Sequence, residues 1–135
     1  MALGANTASR QRRVMTPDHL RRAATALQAL DADGLVVLYA ERFRFEDPAL
    51  GLVVAGREEL RDYFAALFGS PNVSFSDVEV FGCGDRGAAR WTWSGTNPHT
   101  GRRFAIRGAS LFELGPEGIT RETIFYDPTP ARTGS

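Results

Sequence analysis

From Val73 to Asp127 the chain reads as four strand-like segments, Val73–Phe81, Ala88–Asn97, Arg103–Leu114 and Ile119–Asp127, joined by short turns. Asn97-Pro98-His99-Thr100-Gly101 and Gly115-Pro116-Glu117-Gly118 are dense in turn-forming residues, so the last three segments are expected to be consecutive antiparallel strands. The sheet they form is the broad surface on which the rest of the chain has to pack.

The upstream half supplies helices for that surface. Thr16-Pro17 is a helix-opening pair, and Leu20, Ala23, Ala24, Leu27 and Leu30 follow at three- and four-residue intervals as one apolar stripe. Asp31-Ala32-Asp33-Gly34 breaks the pattern, and Asp33 is expected to cap a short second helix carrying Leu35, Leu38 and Tyr39. Phe43 and Phe45 then alternate with Arg42, Arg44 and Glu46, the period of a half-buried strand, which ends at Asp47-Pro48. Residues 49–55 read as a loop with a short edge strand. Gly56 to Gly69 is the clearest helix, because Leu60, Tyr63, Phe64, Leu67 and Phe68 make a continuous stripe closed by a glycine. Helices first and a meander afterwards predict an α+β domain, with helices covering one face of a curved, mostly antiparallel sheet. Phe64, Trp91, Trp93, Phe104, Phe112 and Tyr126 are more aromatic bulk than so small a sheet needs, which predicts a cavity.

A chain of 135 residues fits one domain, placed at 16–128, with disordered tails at 1–15 and 129–135. The first tail carries Arg10, Arg12 and Arg13 without an acid, a composition that a transit peptide shares. Sixteen basic and sixteen acidic residues balance, so no global field draws the protein to nucleic acid or to an anionic membrane. No apolar run approaches a membrane span. Cys83, the only cysteine, excludes an internal disulfide, lies between two glycines as a bystander thiol, and suggests a reducing cytoplasm. His99 in its turn and His19 near a helix start make no metal pair.

The order of elements, together with Ala29-Leu30-Asp31-Ala32-Asp33-Gly34, Phe45-Glu46-Asp47-Pro48, Gly56-Arg57-Glu58-Glu59-Leu60, Gly108-Ala109-Ser110-Leu111-Phe112 and Phe125-Tyr126-Asp127, resembles the nuclear transport factor 2-like superfamily. Within it the likeness is to SnoaL-like polyketide cyclases and ketosteroid isomerases, and it covers nearly all of Thr16 to Asp127. The resemblance implies a cone-shaped α+β roll of the cystatin-like kind, a strongly curved sheet wrapped around three N-terminal helices with a pocket at the wide end. It also implies a cytoplasmic homodimer paired through the outer sheet face, with neither metal nor organic cofactor.

Asp47 falls where ketosteroid isomerases carry the aspartate that shuttles a proton. A carboxylate at a strand end against an apolar pocket loses hydration, which makes it a stronger base than an exposed one. The alternative is that Asp47-Pro48 only ends the strand in an Asx-type turn. The steroid isomerases also hold their dienolate oxygen with a tyrosine and a protonated aspartic acid. Ala23 and Ser110 stand at those two positions here, which argues against steroid isomerisation. Ser110 shares a strand face with Gly108 and Phe112 and can donate one hydrogen bond.

Glu122 shares a face with Ile124 and Tyr126. Turned inward it gives the pocket a second carboxyl group; turned outward it pairs with Arg121, Arg103 or Arg107. Trp91 and Trp93 share a face that lines either the cavity or a dimer surface. Arg107-Gly108-Ala109 lacks the aspartate that follows the arginine in limonene-epoxide hydrolases, so epoxide opening ranks lower. The catalytic candidates are thus Asp47, Glu122 and Ser110, and the expected substrate contacts are Tyr63, Phe64, Trp91, Trp93, Phe112 and Tyr126. The leading expectation is proton transfer on a small apolar polycyclic or polyketide-like molecule. Its rivals are a binding module without chemistry and an association domain whose cavity is filled by side chains.

Overall fold

The computed structural model describes residues 18–133. The tail expected at 1–15 and the opening pair Thr16-Pro17 lie outside the described residues. Helix α1 is helical over 18–28 and buries Leu20, Ala23 and Ala26. Helix α2, Ala32–Val36, is capped by Asp31 rather than by Asp33: the Asp31 carboxylate accepts from the Gly34 amide at 2.9 Å. Asp33 lies inside the first turn and pairs with Arg61 at 2.6 Å.

Strand β1, Tyr39–Asp47, starts at the residue expected to end the second helix. A tertiary partner overrides that local pattern, because Tyr39 pairs with Ile119 and the Leu38 carbonyl accepts from the Ile119 amide at 2.9 Å. After β1 come a 3-10 turn at Pro48–Leu50, the short strand β2 (Leu52–Val54) and helix α3 (Arg57–Phe68). Strands β3 (Ser74–Cys83), β4 (Arg86–Thr96), β5 (Arg103–Gly115) and β6 (Gly118–Phe125) then form the antiparallel meander that the turn sequences require. Helix α4, Thr129–Thr133, stands where a tail was expected.

The strands make one mixed sheet in the order β2-β1-β6-β5-β4-β3, with β1 parallel to β6 and every other pair antiparallel. This corrects the expected cone. The sheet is open and not strongly curled, and its edges β2 and β3 do not pair with each other. The helices are spread along the chain, with α3 between two strands and α4 after the last, instead of being gathered at the N-terminus. One reason is the taper: β5 has 13 residues and β2 only 3, so the outer strand on that side offers almost no ladder with which to close.

Helices α1, α2 and α3 pack on one sheet face, where Leu60 and Phe64 of α3 are buried. Burial of such side chains contributes about 1.5–3 kcal/mol each. Alternation carries Ile106, Ser110, Phe112, Glu122 and Ile124 to that inner face and leaves Phe81, Leu111 and Phe125 half-exposed on the other. Trp91 lies across from Gly108 in register, and a Cβ at Gly108 would collide with the indole, so only glycine lets the ring lie across β5.

Candidate functional site

Between the helices and the inner sheet face lies a cavity of about 420 Å³, within the range of small-molecule sites. Its walls are almost wholly apolar and come from α1 (Leu20, Ala23, Leu27), from α3 and from the strands. Two carboxyl groups stand beside it.

The first is Asp47, at the end of β1 and fully buried. The odd parity that buries Phe43 and Phe45 also turns Asp47 inward. Its carboxylate makes no capping bond to the turn that follows, so it does not serve as an Asx-type turn residue. Instead Oδ2 accepts hydrogen bonds from the Tyr63 and Tyr126 hydroxyls, each at 3.0 Å. Oδ1 is buried without a hydrogen-bond partner among the described residues. Asp47 does not itself line the cavity; Tyr63 and Tyr126 do, and stand between.

The second is Glu122 on β6, which lines the cavity directly. Tyr39 donates to it through a short hydrogen bond, and Ser110 adds another. The Trp91 indole N–H in turn donates to Ser110 Oγ at 3.0 Å. Burial pushes the Glu122 carboxyl up to about 7, against the opposing pull of the Tyr39 and Ser110 hydrogen bonds. The solvent-face alternative for Glu122 is not what forms. Its neighbour Arg121 takes the outer face and pairs with Glu46 at 2.7 Å and Glu113 at 3.6 Å.

The tyrosines are held as neutral donors. Burial and then the Asp47 charge raise Tyr63 and Tyr126 well above the usual phenol range, and burial with the Glu122 charge does the same to Tyr39. Tyr63 responds to both carboxyl groups, which sets the two clusters within electrostatic reach of each other. Trp91 and Tyr126 have ring centroids 6.2 Å apart, and Trp93 and Tyr126 6.0 Å.

Of the residues named from sequence, Glu122, Ser110, Tyr63, Phe64, Trp91, Trp93, Phe112 and Tyr126 all line the cavity, and Asp47 sits one layer behind it. Trp91 and Trp93 thus face the cavity and not the outer surface. Sequence reasoning missed Tyr39 as a site residue. It shares odd parity with Phe43, Phe45 and Asp47, and only the exposed Glu41 interrupts that signal. No three His, Cys, Asp or Glu side chains among the described residues stand together in a metal-binding group. No helix among them is long and apolar enough to cross a membrane.

Residues 20–122 match the SnoaL-like domain family. No curated protein matches the chain. Among solved structures, a Xanthomonas campestris protein described as a candidate polyketide cyclase superimposes with a TM-score of 0.76 at 19% identity, covering 94% of this chain and 99% of the other. A Catenulispora acidiphila protein of ketosteroid isomerase-like fold, solved in complex with trimethylamine, gives 0.72 at 24% identity, covering 82% and 86%. An NTF2-like protein of unknown function from Burkholderia xenovorans gives 0.67 at 22% identity, covering 81% and 80%. At these identities the likeness shows a shared fold.

Proposed function

The chain belongs to the SnoaL-like domain family, and from that membership we propose that it takes a small apolar, polycyclic or polyketide-like molecule into the cavity and rearranges it by proton transfer. Isomerisation, cyclisation and dehydration are the reactions this covers. One observation carries the reading: two buried carboxyl groups stand beside a cavity whose other walls are almost wholly apolar.

Glu122, poised near neutrality and lining the cavity, takes a proton from a carbon next to a carbonyl and returns it at another carbon. In isomerisation the electron pair released moves onto the carbonyl oxygen and comes back as the proton returns; in cyclisation it forms a bond to a second carbonyl carbon of the ligand, whose oxygen takes a proton from the acid; in dehydration it expels a β-hydroxyl group, which leaves as water with that proton. Asp47 acts as the second acid/base through the hydroxyl of Tyr63 or Tyr126. The phenol oxygen accepts the ligand's proton while its own passes to Oδ2. Ser110 serves the reaction by holding Glu122 against Trp91.

In deuterium oxide the protein should exchange the protons next to the carbonyl of a bound polycyclic ketone, as read by NMR. Glu122→Gln and Asp47→Asn should each slow that exchange by about a hundredfold or more, with affinity changed by less than about threefold. Exchange unchanged in both variants would overturn the proposal.

A second reading, ligand binding without chemistry, draws on the seal that Tyr63 and Tyr126 place over Asp47. It requires that a ligand raise the melting temperature equally in wild type and Asp47→Asn, and that it emerge unaltered. The half-exposed Phe81, Leu111 and Phe125 support pairing of two copies through the outer sheet face, and the single thiol of Cys83 supports a reducing, cytoplasmic setting.

A further inference from the structure

The polar atoms around the cavity are arranged in one sense. Tyr63 and Tyr126 both donate to Asp47, Tyr39 donates to Glu122, and Trp91 donates to Ser110, which is itself bonded to Glu122. Each of these aromatic side chains has committed its hydrogen to a carboxyl group or to a partner of one. What it offers a ligand is therefore its ring. Trp93 also presents its ring, although its indole N–H is buried without a hydrogen-bond partner among the described residues. A phenol that hydrogen-bonds to a carboxylate gains electron density, which deepens the negative potential over its face.

Among the described residues no Lys, Arg or His lines the cavity. Among the described residues, Arg57 and Arg132 come near. Arg57 donates to the Tyr39 carbonyl at 2.8 Å from an exposed position, and the charge of Arg132 on α4 reaches Tyr126. Neither is part of the wall. Carboxylates removed from water without a counter-charge are costly, and a cation brought by the ligand offsets that cost.

The form of the cation follows from the free acceptors. A primary ammonium needs three, yet Asp47 does not line the cavity, and Glu122, the carboxyl that does, already accepts from Tyr39 and cannot supply three by itself. A quaternary ammonium needs none and a tertiary one needs a single acceptor, which Glu122 in the wall can supply; both spread their charge under an apolar skin and match apolar walls. Resting on the reading of this cavity as a ligand site and deepening it, we infer that the ligand carries a tertiary or quaternary methylated ammonium group, seated on the rings of Tyr63, Trp91, Trp93 and Tyr126, with Glu122 in the wall beside them and Asp47 behind.

Choline and 3,3-dimethyl-1-butanol, which differ in the charge alone, test this by calorimetric titration. Choline should bind at least about tenfold more tightly, and the preference should vanish in the Asp47→Asn, Glu122→Gln double variant. Should that variant fail to fold, Trp93→Leu, which removes a ring without breaking a hydrogen bond, should cut the preference at least about threefold. Equal affinity for the two compounds overturns the ammonium assignment and leaves an apolar-ligand cavity. Failure of both to bind at millimolar concentration also overturns it. Isotope exchange reads proton transfer and this titration reads charge, so either proposal can fail without the other.

Discussion

Glu122 is acidic at the wrong pH for an ordinary glutamate because its ionised form has lost its water. Its pKa of about 7 in the folded chain lies above the ordinary 4.5, so the folded state binds this proton more tightly than the unfolded one. The resulting stabilisation is fully present below about pH 4.5, fades as pH rises through about 7, and amounts to about 3 kcal/mol at most. Urea melts of wild type and Glu122→Gln at about pH 5 and about pH 8 should show the loss in wild type alone; the same loss in both would place its origin elsewhere. Gly108→Ala makes a second test at this scale. The new methyl collides with the Trp91 indole, so stability should drop by about 1–3 kcal/mol with a shift in tryptophan fluorescence. The inward turn of Asp47 could be read from its parity with Phe43 and Phe45. Its hydroxyl partners could not, because Tyr63 and Tyr126 lie 16 and 79 residues away along the chain.

Elements whose partners are close in sequence were the legible ones. The stripe of Leu60 and Phe64 marks α3, and the turn formers at 97–101 and 115–118 mark the hairpins, because each signal is spent on a neighbour a few residues distant. Strand β1 is the contrary case. Its parallel pairing with β6 spans α3 and four intervening strands, and it claims Tyr39, which local periodicity gives to a helix. Asn97, legible only as a turn residue, also ties down α4. Its amide donates to the Ala131 and Arg132 carbonyls at 2.8 Å each, and its Oδ1 accepts from the His99 and Thr100 amides at 2.8 and 3.1 Å. Asn97→Ala should therefore cost about 1–3 kcal/mol and open the Thr129–Thr133 segment to proteolysis, with melting temperature and limited digestion as the readouts. A digestion pattern like that of wild type would show α4 to be held by other contacts.

Across the whole molecule the two faces of the sheet divide the work, with the cavity on one and the half-exposed Phe81, Leu111 and Phe125 on the other. If two copies pair through that outer face, Leu111→Arg should shift sedimentation from dimer to monomer while leaving the melting of the isolated domain within a few degrees. A single monomeric species already present in wild type would remove that assembly. The sequence by itself determined the α+β class and the run of hairpins, and it pointed to several of the aromatic residues that line the cavity, since periodicity and turn chemistry act over short stretches of chain. Tertiary structure alone decided that the sheet stays open, that Asp47 is enclosed by Tyr63 and Tyr126, and that Glu122 is the carboxyl facing the ligand space. Those outcomes depend on which strands meet and how much water each charge loses, and neither exists until distant segments have come together.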